Sequence, residues 1–219
     1  MKIILEHPYD FIIFLIFLCC TLVYHIFYYR TVKNLPGHIF KGKINIIRRS
    51  WVQNMLKEGN TITAVQSLRN INMAASFLAS SSIVFVGGMI YMVLSIEKTS
   101  AIITGIETHS IQDYLLFLKF LSLIIMFLTS LLNFSLCIRL LNYLAILIGS
   151  SPRVIEETVG ESAVDYITRL FSKAGVHYTF GIRGFYYSIP VIFWFLSPTL
   201  FLVLTLLILF LTLRLDFGK

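Results

Sequence analysis

From Tyr114 to Ile148 the chain runs 35 residues without a glycine or a proline, and only Lys119 and Arg139 in that stretch carry charge. As one helix it would be about 52 Å long. A helix apolar on every side has to be surrounded by other apolar matter. Its inner part, about 115–136, has three counterparts at about 11–29, 73–95 and 188–211. A hydrocarbon core of roughly 30 Å is crossed by about 20 apolar residues in a helix, so each segment reads as one span. Only 13% of the residues are charged, against about 25% in soluble domains. The expected fold is therefore an all-α membrane protein, one domain over 1–219, built as a four-transmembrane-helix bundle in the lipid bilayer.

The cations set the expected orientation. Eight of them (Arg30, Lys33, Lys41, Lys43, Arg48, Arg49, Lys57 and Arg69) lie between the first two spans, and five more (Arg139, Arg153, Arg169, Lys173 and Arg183) between the last two. The rest of the chain holds Lys2, Lys98, Lys119, Arg214 and Lys219. Thirteen against five places both long loops in the cytoplasm of a multi-pass cell-membrane protein and both termini outside. A net charge of +7 placed in this way reads as orientation in a bilayer, and with no nucleic-acid motif it argues against a nucleic-acid partner. Cys19, Cys20 and Cys137 sit in apolar segments, where thiols act as small hydrophobes.

The second and third spans outrun the membrane. Thr61–Ser95 contains no proline, and its two glycines come late. With outer ends pinned by Glu97, Lys98 and Asp113, the surplus turns of both helices extend into the cytoplasm. The loops are expected to be helical as well, at about 44–58 and 152–174. In the first, Ile44, Ile47, Trp51 and Met55 share a face beside Arg48 and Arg49, a basic amphipathic surface for anionic lipid or for docking on the stalk. In the second, Ser151 and Pro152 read as N-cap and first helical residue, with Gly175 as the stop. The stripe Ile155, Val159, Ala163, Tyr166 and Leu170 faces a partner. Pro190 and Pro198 are expected to bend the fourth span.

Several motifs occur in fixed order: W-V-x-x-M from Trp51, A-V-Q-S-L-R-N from Ala64, S-L-x-I-R-x-x-N from Ser135, R-x-F-Y-x-x-x-P from Arg183, and a final L-D-F. Over about Arg48 to Phe217 the chain resembles an integral-membrane family catalogued as domain of unknown function 599. The resemblance implies a four-span membrane protein and brings no activity with it.

Candidate sites follow from charge near lipid. Arg69, Arg139 and Arg183 each fall near a cytoplasmic span edge with no acid close in sequence. A desolvated guanidinium needs an anion or carbonyls. The three are expected to converge, with Asn72 and Asn142 and the nearby Asn70, as a belt for anions or anionic lipid head groups. The competing reading is a set of separate snorkelling anchors. Arg48, Arg49 and Trp51 are the membrane-surface candidates. Small residues along 74–88 allow a close neighbour. The polar lines Ser122, Thr129, Asn133 and Ser135, Arg139, Asn142 make the third span central, either lining a water path or hydrogen-bonding between helices. The histidines (His7, His25, His38, His109 and His177) are scattered, no catalytic or metal motif occurs, and carboxylates are lacking within the spans as drawn. The expectation is a non-enzymatic protein without cofactor or metal. The leading functional reading is an oligomeric, channel-like homo-oligomer passing anions. The runner-up is a scaffold or sensor binding anionic lipid, and a membrane-embedded enzyme comes third.

Overall fold

The computed structural model describes residues 8–34, 40–104 and 111–217. These form seven helices and no strand: α1 Pro8–Asn34, α2 Phe40–Glu58, α3 Thr61–Thr104, α4 Ile111–Gly149, α5 Pro152–Val159, α6 Ala163–Phe193 and α7 Pro198–Phe217. His7, His38 and His109 lie outside the described residues, as do the side chains of Glu97, Lys98 and Asp113. Four helices, α1, α3, α4 and α7, are long and apolar enough to cross a membrane. α3 and α4, with 44 and 39 residues, measure about 66 and 58 Å, roughly twice a hydrocarbon core. Their surplus turns form a stalk. There Ala64 and Leu68 of α3, Leu144 and Ile148 of α4, Val52 of α2, Ile155 of α5 and Ile167 of α6 share one buried core.

α4 is the spine, as its two polar lines suggested, with α3 packed along one side and α6 along the other. Those polar lines mostly serve α4 itself. Ser122, Ser130 and Ser135 turn their hydroxyls onto carbonyls four residues back, and the Asn133 amide does the same with Thr129. On α3, Ser81 and Ser82 follow suit. Ala75, Ala79 and Ser82 face inward, while Gly87 and Gly88 open onto free space.

The second cytoplasmic segment departs from expectation twice. Gly160, at φ 78°, closes α5 in the left-handed conformation that glycine adopts without strain, its N–H bonded to Glu156 O at 2.9 Å. The Glu156 carboxylate then accepts the Ala163 N–H at the start of α6. Gly175, expected to stop the helix, lies inside α6, which continues to Phe193. The glycines of α6 are there for contact. A methyl at Gly181 would sit 2.7 Å from the Phe134 ring, and one at Gly184 would overlap Ser130 Oγ.

The fourth apolar segment, expected as one bent span over about 188–211, is divided between two helices. Pro190 is absorbed in the last turn of α6. After a turn at 194–197, Pro198 opens α7, with Ser197 Oγ accepting the Thr199 N–H at 3.2 Å. Ser–Pro at a helix start supplies a cap and a residue with no N–H to satisfy. α6 runs antiparallel to α4, with His177 beside Asn133, Phe185 beside Phe127 and Trp194 beside Lys119. α7 then turns back, so Phe201 packs near Trp194 while Phe217 meets Phe27 and Tyr28 at the far end of α1. The beginning of α1 and the end of α7 therefore lie at opposite ends of the bundle.

The close α4–α6 approach can be tested by adding a methyl group. Gly184→Ala is expected to cost about 1–3 kcal/mol, the usual range for overpacking, read as a lower thermal midpoint in detergent. Gly87→Ala, where the space is open, should show no loss.

Candidate functional site

The expected belt of three arginines does not form. Asn142 lies beside Asn72, its carboxamide oxygen accepting the Asn72 Nδ2–H at 3.0 Å, which sets Arg69 level with about residue 145 of α4. Arg183 is level with Ser130, its neighbour Gly184 packing there. The 15 or so residues between put Arg69 and Arg183 about 22 Å apart along the bundle. Arg69 is exposed and makes no ion pair among the described residues. Arg139 is exposed too; its Nε–H donates to the Tyr143 hydroxyl and its guanidinium lies over that ring. These two match the anchoring reading, and Asn72 and Asn142 join α3 to α4.

Arg183 is different. It is 4% exposed, near the middle of the apolar stretch of α4, and its partner is Asp216, in the last turn of α7. Tyr24 donates its hydroxyl to the same carboxylate and accepts from Arg183 Nη2 at 3.3 Å. The guanidinium stacks over Tyr28 at 4.2 Å. Tyr187 edges onto His25, which lies flat on Phe180. Arg183 Nη1 and the Tyr187 hydroxyl are buried without a protein partner among the described residues. The centre joins α1, α6 and α7, and its formal charge is balanced.

A second buried pair closes the opposite end. Lys119 Nζ donates to the Trp194 carbonyl at 2.9 Å, approaches Asp10 at 3.9 Å, and lies over the Trp194 ring. The indole N–H donates to Asp10 at 2.7 Å. This cluster fixes α1, α4 and the α6–α7 turn together. Carboxylates are thus present inside the apolar helices, correcting the expectation that they are lacking. Asp10 and Asp216 sit in the end turns of α1 and α7, one in a stretch read as preceding the first span and the other beyond the fourth. The available signal was numerical: Lys119 and Arg183 lie inside apolar helices and require two acids.

The membrane-surface candidates dock on protein. Arg49 pairs with Asp165 at 2.8 Å, Trp51 packs on Phe171, and Val52 of α2 is fully buried. Ile47, expected on the buried face, is 59% exposed. Arg48 lies across Phe171 and the backbone of Gly175, its Nη1–H donating to Asn45 Oδ1 at 3.1 Å. It has no carboxylate partner among the described residues. No group of three metal-ligating side chains gathers among those residues either.

Chemically, the two buried pairs are locks, and each lock makes a prediction. Removing one partner of a buried pair costs about 3–5 kcal/mol, while replacing both with apolar residues is often close to neutral. Asp216→Ala should therefore lower the thermal midpoint in detergent steeply, and Arg183→Leu combined with Asp216→Leu should restore most of it. Equal losses in the single and double variants would refute the lock.

No curated protein and no solved structure matches this chain. The family described as "Protein of unknown function, DUF599" matches residues 12–219, nearly the whole length and every helix described above. The chain belongs to the DUF599 family of membrane proteins.

Proposed function

We propose that the chain is a cell-membrane protein that crosses the bilayer five times, with its basic end in the cytoplasm, and serves as a scaffold that binds anionic lipid in that leaflet. The observation that carries this reading is the course of α6 beside α4. Trp194 is level with Lys119, so whatever bilayer α4 crosses, the half of α6 from His177 to Phe193 crosses with it. α7 then returns, and the C-terminus faces the cytoplasm while the N-terminus faces outside. This replaces the arrangement with both termini outside. Arg214, in the last turn of α7, moves to the crowded side, which then holds thirteen cations without the interior Arg183, against Lys98 and Lys119 in the rest of residues 8–217. The positive-inside bias grows stronger. Cations near an anionic leaflet gain about 1 kcal/mol each, which is what lipid binding at this end draws on.

Passage of anions is the second reading. Phe127, Phe134, Trp194 and Phe201 fill the interior of one copy, so a path would have to lie between copies in a homo-oligomer. α3 is the helix freest for such contact, with Phe77, Ile83, Val84 and Tyr91 exposed along it.

Single cysteines in a background with Cys19, Cys20 and Cys137 replaced by serine test the five-crossing arrangement. In intact cells an impermeant maleimide should label Pro8→Cys and leave Lys57→Cys and Arg214→Cys unlabelled until the membrane is permeabilised. Labelling of Arg214→Cys alongside Pro8→Cys in intact cells would overturn it.

A further inference from the structure

We infer that the cavity between α2, α3, α4 and α6 at the basic end seats the head group and part of one acyl chain of an anionic phospholipid of the adjoining leaflet, with its phosphate on the Arg48 guanidinium and the rest of the lipid in the bilayer. This deepens the lipid reading above and rests on its orientation. The cavity has a volume of about 470 Å³, within the range of ligand pockets, about 300–1,000 Å³. Its lining changes character along the bundle axis. Arg48, Asn70 and Phe171 lie toward the basic end, and Ala74, Cys137 and Thr179 lie one to two turns further in. Charge at the leaflet surface and apolar wall toward the bilayer interior is the profile of an amphiphile seated in its own leaflet.

Arg48 stands apart from the other cations around it. Arg49, Arg153 and Arg169 each reach a carboxylate, and Arg69 and Arg139, which reach none, are exposed to solvent, whereas Arg48 is half-buried. Arg48 makes no ion pair among the described residues. It is held in place by Asn45, by the Phe171 face at 5.1 Å, and by the missing side chain of Gly175, where a methyl would come within 2.9 Å of Cζ. Burial lowers its pKa from the ordinary arginine value and no acid raises it again. A guanidinium keeps its charge even so, and its planar fork fits a phosphate through two parallel hydrogen bonds. The position, the missing counter-charge and the apolar slot beyond it thus meet at one side chain.

The test uses the full chain in detergent, incubated with equal phosphatidylglycerol and phosphatidylcholine and read by native mass spectrometry. The unsubstituted chain should retain one phosphatidylglycerol in preference to phosphatidylcholine. Arg48→Gln should weaken that retention about tenfold or more, the scale of a hydrogen bond to a charged group, and Arg49→Gln, one residue on, should not. Ala74→Phe fills the inner part of the cavity without touching charge and should weaken retention as well, so the inference stays testable if Arg48→Gln fails to fold. Unchanged retention in a folded Arg48→Gln chain, equal retention of phosphatidylcholine, or displacement of the lipid by inorganic phosphate alone would each overturn the site. Maleimide labelling of the same variants separates this failure from failure of the orientation: a correct topology with no Arg48 dependence rejects the pocket only.

Discussion

In a bundle this apolar, two cations inside the helices decide how the rest can be arranged. Lys119 on α4 and Arg183 on α6 are each buried, and a charge removed from water is tolerated only where an opposite charge and hydrogen bonds wait for it. Asp10 waits for the first and Asp216 for the second. Because the acids come from α1 and α7, satisfying the cations draws those helices onto the α4–α6 pair. The aromatic packing of Phe14, Trp194 and Phe201 fills the space that the pairs define. Apolar burial gives no preference for one helix register over another in lipid, since lipid tails are as apolar as leucine. Buried charge does give one, and here it acts at the start of α1 and at the end of α7.

The stalk end obeys different rules. It has a water-facing surface and a core of its own around Leu68, Leu144, Ile155 and Ile167. There burial itself supplies the drive, about 25 cal/mol per Å² of apolar surface, and the charged pairs Arg49–Asp165 and Arg153–Glu157 are exposed. Such surface pairs contribute about 0–1 kcal/mol. α2 is therefore held mainly by Val52 and Trp51 on the apolar face of α6. That docking carries Arg48 to a place where its head is partly withdrawn from water, although no carboxylate among the described residues meets it.

Much of the architecture was legible in the sequence. The unbroken runs in α3 and α4 announced helices longer than a membrane, and Ser151–Pro152 marked the start of α5. Ser197–Pro198 is the same signal, yet it sat inside an apolar segment, where a proline reads first as a bend. Gly175 looked like a stop because glycine is most common just past a helix end. Its actual use, leaving room for the Arg48 guanidinium, depends on a helix more than a hundred residues away in sequence. The candidate site was less legible for a related reason. Distance from a span edge locates Arg69, Arg139 and Arg183 along their own helices, but it says nothing about the sides of the bundle those helices occupy. The pairing of Arg183 with Asp216 spans 33 residues and a reversal of direction, and no local pattern encodes it.

The same pairing explains how α6, less apolar than its neighbours, can lie inside the bundle. Arg183, His177, Tyr178, Tyr186, Tyr187 and Pro190 lower the apolar character of its second half, and α6 is not among the helices apolar enough by composition to cross a membrane. A helix of this kind facing lipid alone would carry the cost of a bare guanidinium. Enclosed by α1, α4 and α7 it carries much less, because Asp216 neutralises Arg183 and Tyr24 and Tyr28 cover it. The residue that most lowers the apolar character of α6 is thus the one that α7 meets on its return. Helix α7 in turn is apolar and long enough to cross a membrane, and its one acid, Asp216, meets Arg183 and the Tyr24 hydroxyl. The two helices are interdependent, and a turn at Trp194 anchored by Lys119 and Asp10 is what allows a polar helix and an apolar one to enter the bundle together.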